Sequence, residues 1–197
     1  YSLGYNVLAA DARAHGDSEG TKIGMGWPER FDVIEWIKLI ISWDSNAQII
    51  LHGVSMGAAT VLMASGEELP ENVKVIIADC GYTSEWDEFK CEANALHIPW
   101  FPVLNAASVM SRLRDGYDFK QASALEKVKQ SRIPTLFIHG SDDELVPYSM
   151  LDKLYSAAAC EKECLTVNGA GHALSSSVEP ELYWNTVENF IEKYLEK

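Results

Sequence analysis

The sequence predicts a doubly wound, mostly parallel α/β sheet. Three observations carry that expectation. Short, nearly continuous apolar runs recur along the chain, as expected for strands covered on both faces. Amphipathic stretches with three-and-four spacing separate them. The two kinds of segment alternate, which favours parallel strands joined by crossover helices.

The first strand is expected at 6–10 (Asn6-Val7-Leu8-Ala9-Ala10), and the others at 47–51, 73–78, 134–138 and 163–167. Pro28 suits a helix first turn, where its missing N–H costs nothing. Beyond it Val33, Ile34, Trp36, Ile37, Ile40 and Ile41 share one face. The stretch 56–65 is rich in small residues (Gly57, Ala58, Ala59, Ala64), which lets a helix approach a sheet closely. A helix over 147–159 places Leu151, Leu154 and Ala158 together. The last, over 179–195, aligns Tyr183, Val187, Phe190, Ile191 and Tyr194. Residues 81–129 are too long for a plain crossover. With Trp86, Phe89, Trp100, Phe101 and Tyr117, and a helical pattern from Val103 to Leu113, they read as a helical cap over the sheet edge. The domain expectation is one unit over 1–197, carrying that insert.

The chain has 197 residues, 47% of them hydrophobic and 23% charged, which excludes a disordered polymer. No apolar run reaches the length of a membrane span. Sixteen Lys and Arg stand against 29 Asp and Glu, a formal charge of −13. Such a surface repels phosphate backbones, so nucleic acid is not an expected partner. Cys80, Cys91, Cys160 and Cys164 form no C-x-x-C pair and read as reduced thiols, although Cys160 and Cys164 could pair across a turn. The text begins at Tyr1, almost directly on a strand, so a preceding segment is expected, together with any localisation signal.

Chemistry concentrates at Gly53-Val54-Ser55-Met56-Gly57, between a strand and a helix. In a nucleophile elbow the serine occupies a strained turn that pushes its hydroxyl outward, and flanking glycines avoid clashes. A serine hydroxyl is a weak nucleophile at neutral pH, so it needs a base, and the base needs an orienting carboxylate. Of His15, His52, His97, His139 and His172, only His172 lies on a Gly-rich loop after the last strand, and it is the expected base. The fourth strand ends in His139-Gly140-Ser141-Asp142-Asp143-Glu144, where Asp143 is the expected acid, in competition with Asp142 and Glu144. Met56 N–H is the expected oxyanion donor. Trp86, His97 and Trp100 are expected to line the substrate pocket. The run of acids fits no calcium loop and no Cys/His cluster suggests zinc, so neither metal nor cofactor is expected.

These residues resemble the α/β-hydrolase superfamily, and most of all small bacterial serine hydrolases of the cell-surface or peptidase-like type. Four motifs carry the resemblance. The loop of D-x-R-G-H-G-x-S-x-G form is Asp11-Ala12-Arg13-Ala14-His15-Gly16-Asp17-Ser18-Glu19-Gly20, with Ala14 where the family has glycine. The elbow is His52 to Gly57, H-G-x-x-D-x-x-V-P spans His139 to Pro147, and G-x-G-H spans Gly169 to His172. The third motif favours Asp143 over Asp142.

The resemblance implies a serine hydrolase acting on carboxylic esters through an acyl-enzyme; a peptidase or thioesterase runs on the same machinery. It also implies strands before Tyr1, one of them lying between the strands that end at Asp11 and His52, whose loop supplies a second oxyanion N–H. An upstream segment, or a second copy of the chain, is then expected to complete the sheet. The alternative is a truncated hydrolase-fold domain that is weak or inactive and works as a binding or assembly module.

Overall fold

The computed structural model describes residues 3–195. In chain order the elements are α1 (Glu29–Trp43), β1 (Ile49–Val54), α2 (Met56–Ala64), β2 (Val73–Asp79), α3 (Glu85–Ala95), α4 (Trp100–Asp115), α5 (Ala124–Val128), β3 (Thr135–Gly140), α6 (Ser149–Ala157), β4 (Lys162–Val167), α7 (Ser175–Val178) and α8 (Pro180–Glu192). The strands form one sheet in the order β1-β2-β3-β4, and every pairing is parallel. All four C-terminal strand ends therefore lie along one edge, which gathers the loops that follow them.

The strands are apolar on both faces because helices cover both. On one side Ile76, Ala78 and Phe137 pack with Ile37 of α1, Leu62 of α2, Val128 of α5 and Leu154 of α6. On the other, Val75, Ile77, Leu136 and Ile138 meet Tyr183, Val187, Phe190 and Ile191 of α8. The alternation from Ile76 to Ile77 is the period-two pleat sorting one strand between two cores.

The fold class is as expected, with two corrections. The strand expected at 6–10 is absent: these residues are exposed, form no regular element and lie outside the sheet. Strand character needs a partner for the backbone. β1 pairs with β2 on one side only, and no strand of the described residues borders its other edge. The face expected of α1 is also narrower than its periodicity suggested. Ile37 is buried and Val33, Ile40 and Ile41 are partly buried, but Trp36 is exposed.

The loop after residue 10 is a compact structure of its own. Asp17 N–H donates to Asp11 Oδ2 at 3.0 Å, Ser18 Oγ donates to the Asp11 carbonyl at 2.7 Å, and Ala14 N–H donates to the Glu19 carbonyl at 3.1 Å. Arg13 grips Asp32 of α1 through Nε at 2.6 Å and a second nitrogen at 2.5 Å. This turn places Ala14 at φ 61°, a conformation that disfavours a Cβ.

Between β2 and β3 the chain forms α3, α4 and α5. α3 is capped by Ser84, whose side chain accepts from Asp87 N–H. Just inside, Glu85 and Glu88 are buried, and one carboxylate oxygen of each has no hydrogen-bond partner. Burial, reinforced by Glu29 and Asp115, pushes Glu85 up to about 8. Burial, with Glu92 and Asp143, pushes Glu88 up to about 7. Both acids thus keep a proton in the folded chain over a range in which the unfolded chain has released it.

Two outcomes are expected. Ala14→Gly removes the left-handed strain and stabilises the fold by about 0.5–1 kcal/mol, seen as a Tm rise of a few degrees. The stability tied to Glu85 is full below its ordinary value of 4.5 and is lost as pH rises through about 8. Melting curves should therefore show Tm falling across that window, and Glu85→Gln should flatten the fall and raise Tm at its alkaline end.

Candidate active site

β1 delivers the chain to Ser55 and α2 takes it away. Ser55 sits at φ 54°, ψ −118°, a region where L-residues are strained by about 1–3 kcal/mol. Two bonds hold it there: Ser55 N–H donates to the Asp79 carbonyl at the end of β2 at 2.8 Å, and the Ser55 carbonyl accepts from Ala59 N–H at 3.0 Å. The glycines beside it differ. A Cβ on Gly53 would lie 2.2 Å from the Gly57 carbonyl oxygen and 2.6 Å from Ala58 N, so only glycine fits between β1 and α2. A Cβ on Gly57 would meet nothing within 4 Å, so the expectation that steric clash requires both glycines is corrected to Gly53 alone. Met56 is the first residue of α2, where a helix leaves its N–H groups without intrahelical partners.

His172 arrives from the loop after β4, and its Nε2 lies 2.8 Å from Ser55 Oγ. Its Nδ1 lies 2.9 Å from Asp143 Oδ2, in the loop after β3. The acid and base loops are locked together below these contacts. Asp142 N–H donates to the Ala170 carbonyl at 3.0 Å, and a Cβ on Gly140 would collide with that carbonyl oxygen at 2.2 Å. Asp143 Oδ1 accepts from Leu145 N–H at 3.0 Å and from Val146 N–H at 2.9 Å, which leaves Oδ2 for the histidine. Burial pushes the Asp143 carboxyl up, but hydrogen bonds from His139, His172 and Val146 N–H outweigh it and hold it below the usual carboxylate range. Asp142 is exposed and accepts from Ser141 Oγ at 2.6 Å, and Glu144 is exposed.

The remaining histidines are engaged elsewhere or exposed. His139 Nε2 is 2.9 Å from the Val146 carbonyl and 3.3 Å from Asp143 Oδ2, so it braces the acid from behind. His15 Nδ1 is 2.9 Å from the Arg13 carbonyl, and His52 Nε2 is 3.1 Å from Tyr183 Oη. His97 is exposed, at φ 56°, between α3 and α4. Trp86 and Trp100 meet each other edge to face at 6.4 Å, with Lys120 over Trp86 at 4.4 Å and Lys90 over Trp100 at 4.7 Å. The structure thus brings Ser55, His172 and Asp143 together. It places His97, Trp86 and Trp100 on the insert, with no hydrogen bond or ring contact to those three among the described residues.

Two residues beneath the site escaped sequence reasoning. Asp79 is buried, its carbonyl fixes the elbow, and its Oδ1 accepts from Ser175 Oγ at 3.4 Å. Cys80 follows it at φ 48° and is also buried. Burial, then Asp79, pushes its thiol up to about 12, so it stays protonated and is no rival nucleophile. Candidate ligand atoms of Cys80, Asp143 and His172 lie within 4.8 Å of one another. The His172–Asp143 hydrogen bond and the protonated thiol already account for that proximity. The cysteines are all free.

A parallel sheet, a strained serine at a strand-to-helix turn and a histidine from the last loop together define a member of the α/β-hydrolase superfamily. The model of the prolyl oligopeptidase family matches residues 25–197, and the chain belongs to that family. Among curated proteins it is 31% identical over 192 residues to YqkD of Bacillus subtilis, covering 96% of this chain and 63% of that one. It is also 31% identical over 159 residues to the lysophosphatidylserine lipase ABHD12 of Macaca fascicularis, covering 80% of this chain and 39% of the relative. The chain thus spans less than two thirds of either relative. In fold it resembles the Pyrococcus furiosus esterase Pf2001, with a TM-score of 0.79 at 23% identity, covering 99% of this chain and 73% of the esterase. It also resembles the Pyrococcus horikoshii acylaminoacyl peptidase, with a TM-score of 0.67 at 16% identity over 88% of this chain and 29% of the peptidase.

The glycine contrast gives a direct test. Gly53→Ala should destabilise the fold by about 2–4 kcal/mol, because backbone must move. Gly57→Ala, in a helix with open space, should leave Tm unchanged or raise it by the usual helix gain of about 0.5–1 kcal/mol. Thermal melts of the two purified variants make the comparison.

Proposed function

We propose that the chain is a serine hydrolase that cleaves carboxylic esters through an acyl-enzyme. The observation that carries this reading is His172 bridging Ser55 Oγ at 2.8 Å and Asp143 Oδ2 at 2.9 Å. Ser55 Oγ attacks the carbonyl carbon while its proton passes to His172 Nε2. The carbonyl oxygen becomes an oxyanion, stabilised by Met56 N–H at the start of α2. Collapse of the tetrahedral intermediate breaks the ester C–O bond, and the leaving alkoxide takes the proton from His172. Water then attacks the acyl-serine with the same histidine as base, releasing the acid and restoring Ser55. Asp143 stays ionised, fixes the histidine tautomer and balances the imidazolium charge.

The names of the relatives fit this chemistry: an esterase and an acylaminoacyl peptidase in fold, a lysophosphatidylserine lipase in sequence. Trp86 and Trp100 are assigned to the acyl or alcohol pocket, consistent with an apolar substrate portion. His97, exposed on its turn, is assigned to the pocket rim. Peptide and thioester cleavage use the same steps, with the amine or thiol in place of the alcohol.

Two points favour a second reading. The outer edge of β1 carries no strand among the described residues, and one oxyanion donor is assigned rather than two. A missing donor costs roughly 10²–10³ in rate. A domain so weakened would serve in binding or assembly, completed by a second copy or another segment.

Hydrolysis of a short nitrophenyl ester separates the two. Ser55→Ala and His172→Ala should each lower kcat/KM by at least about 10³-fold, and Asp143→Asn by roughly 10⁴-fold through the wrong tautomer. A fluorophosphonate probe should label the native chain at Ser55. Equal rates for native and Ser55→Ala, or no labelling, would reject the enzyme.

A further inference from the structure

Helix α4 is built inside out. Its buried residues are Leu104, Ser108 and Ser111. The two serines work by hydrogen bonding: Ser111 Oγ donates to the Tyr117 carbonyl at 2.9 Å, and Ser108 Oγ accepts from Phe119 N–H at 3.1 Å. The apolar side chains point the other way. Val103 is 60% exposed, Val109 58%, Met110 53% and Leu113 77%. At 3.6 residues per turn these four fall on one continuous face, opposite Leu104, Ser108 and Ser111. Arg112, which is 3.8 Å from Asp118, and Arg114 flank that face, one on each side. Phe101, where the backbone of α4 leaves helical geometry, and Leu96 and Ile98 ahead of the helix are all exposed and extend the apolar surface.

We propose that this face of α4 docks on a phospholipid surface with anionic headgroups. A helix with an exposed apolar face and arginines on both borders fits the interfacial boundary of a bilayer: the apolar side chains enter the acyl region and the guanidinium groups reach back to phosphates. Charge distribution supports the choice. Residues 81–129 hold six Lys and Arg against seven Asp and Glu, and two of those acids, Glu85 and Glu88, are buried. Outside that stretch ten basic residues face 22 acidic ones, so the insert is the face an anionic surface repels least. A second copy of α4 fits less well. The helix carries no acid before Asp115, and Asp115 already pairs with Lys22, so a copy would oppose the arginines with no counter-charge from its own helix. α4 packs on α3, which leaves the sheet at the edge where Ser55 stands.

Vesicle binding tests this apart from hydrolysis. The purified chain should sediment with mixed phosphatidylcholine–phosphatidylglycerol vesicles, and less with phosphatidylcholine alone. The double variant Val109→Asp, Leu113→Asp should weaken that partition at least about tenfold, since each lost apolar side chain is worth a large part of a decade or more. Arg112→Glu with Arg114→Glu should weaken it several-fold and abolish the preference for the anionic lipid. Both variants should hydrolyse a water-soluble ester within about twofold of native, as exposed substitutions perturb the fold little. Failure of the native chain to sediment, or binding indifferent to Val109 and Leu113 or to lipid charge, would overturn the proposal. So would a dimer that the Val109→Asp, Leu113→Asp variant dissolves, since a second copy would then cover the face.

Discussion

Ser55 is held against its own backbone preference, and the arrangement at the sheet edge depends on that. A serine at φ 54° persists only because its surroundings leave no alternative. The Asp79 carbonyl takes its N–H from the neighbouring strand, and α2 begins at once behind it. Gly53 lets β1 come within atomic contact of the first turn of α2. Relaxing this turn would swing Oγ away from His172. The strain is therefore part of what keeps the hydroxyl within 2.8 Å of the imidazole.

The same logic of over-determination runs through the acid. Asp143 is ionised in a buried place, which is costly unless its oxygens are satisfied. Two backbone N–H groups occupy Oδ1, and His172 and His139 converge on Oδ2. Asp142, one residue earlier, faces outward and could not replace it without losing all four. The close approach of Gly140 to Ala170 then ties the Asp143 loop to the His172 loop, so that the two residues are held as one unit.

Much of this was legible in the residues. Ser55, Asp143 and His172 are legible because each sits in a loop after an expected strand, two of the loops are Gly-rich, and the three appear in chain order. The helices α6 and α8 are legible from spacing and α2 from its small residues, and their ends fall within a few residues of expectation. What stayed hidden depends on neighbours rather than on residue type. Val7 and Leu8 look like strand residues, but a strand exists only with a hydrogen-bonding partner, and residues 6–10 have none in the described sheet. Asp79 acts chiefly through its carbonyl, which every residue has, so its side chain gave no signal. The different reasons for Gly53 and Gly57 are a matter of ångströms between two elements. Ala14 was visible as a departure from a glycine, and the structure supplies the meaning: the position is left-handed, so the alanine is tolerated at a strain cost and the loop stays formed through Asp11 and Arg13.

The sheet and the insert are stabilised by different physics, and this bears on how the site operates. Around the sheet, apolar side chains interdigitate on both faces, and opening such a core exposes all of them together. The insert instead has a short amphipathic α3 with unsatisfied buried acids, and an α4 whose inner face is held in part by serine hydroxyls. A net hydrogen bond contributes about 1 kcal/mol, less than a buried leucine. The insert therefore rests on weaker ties than the layer beneath it. Such a division suits a hydrolase: Ser55, His172 and Asp143, whose distances matter most, sit on the loops of the rigid layer and not on the part that can shift.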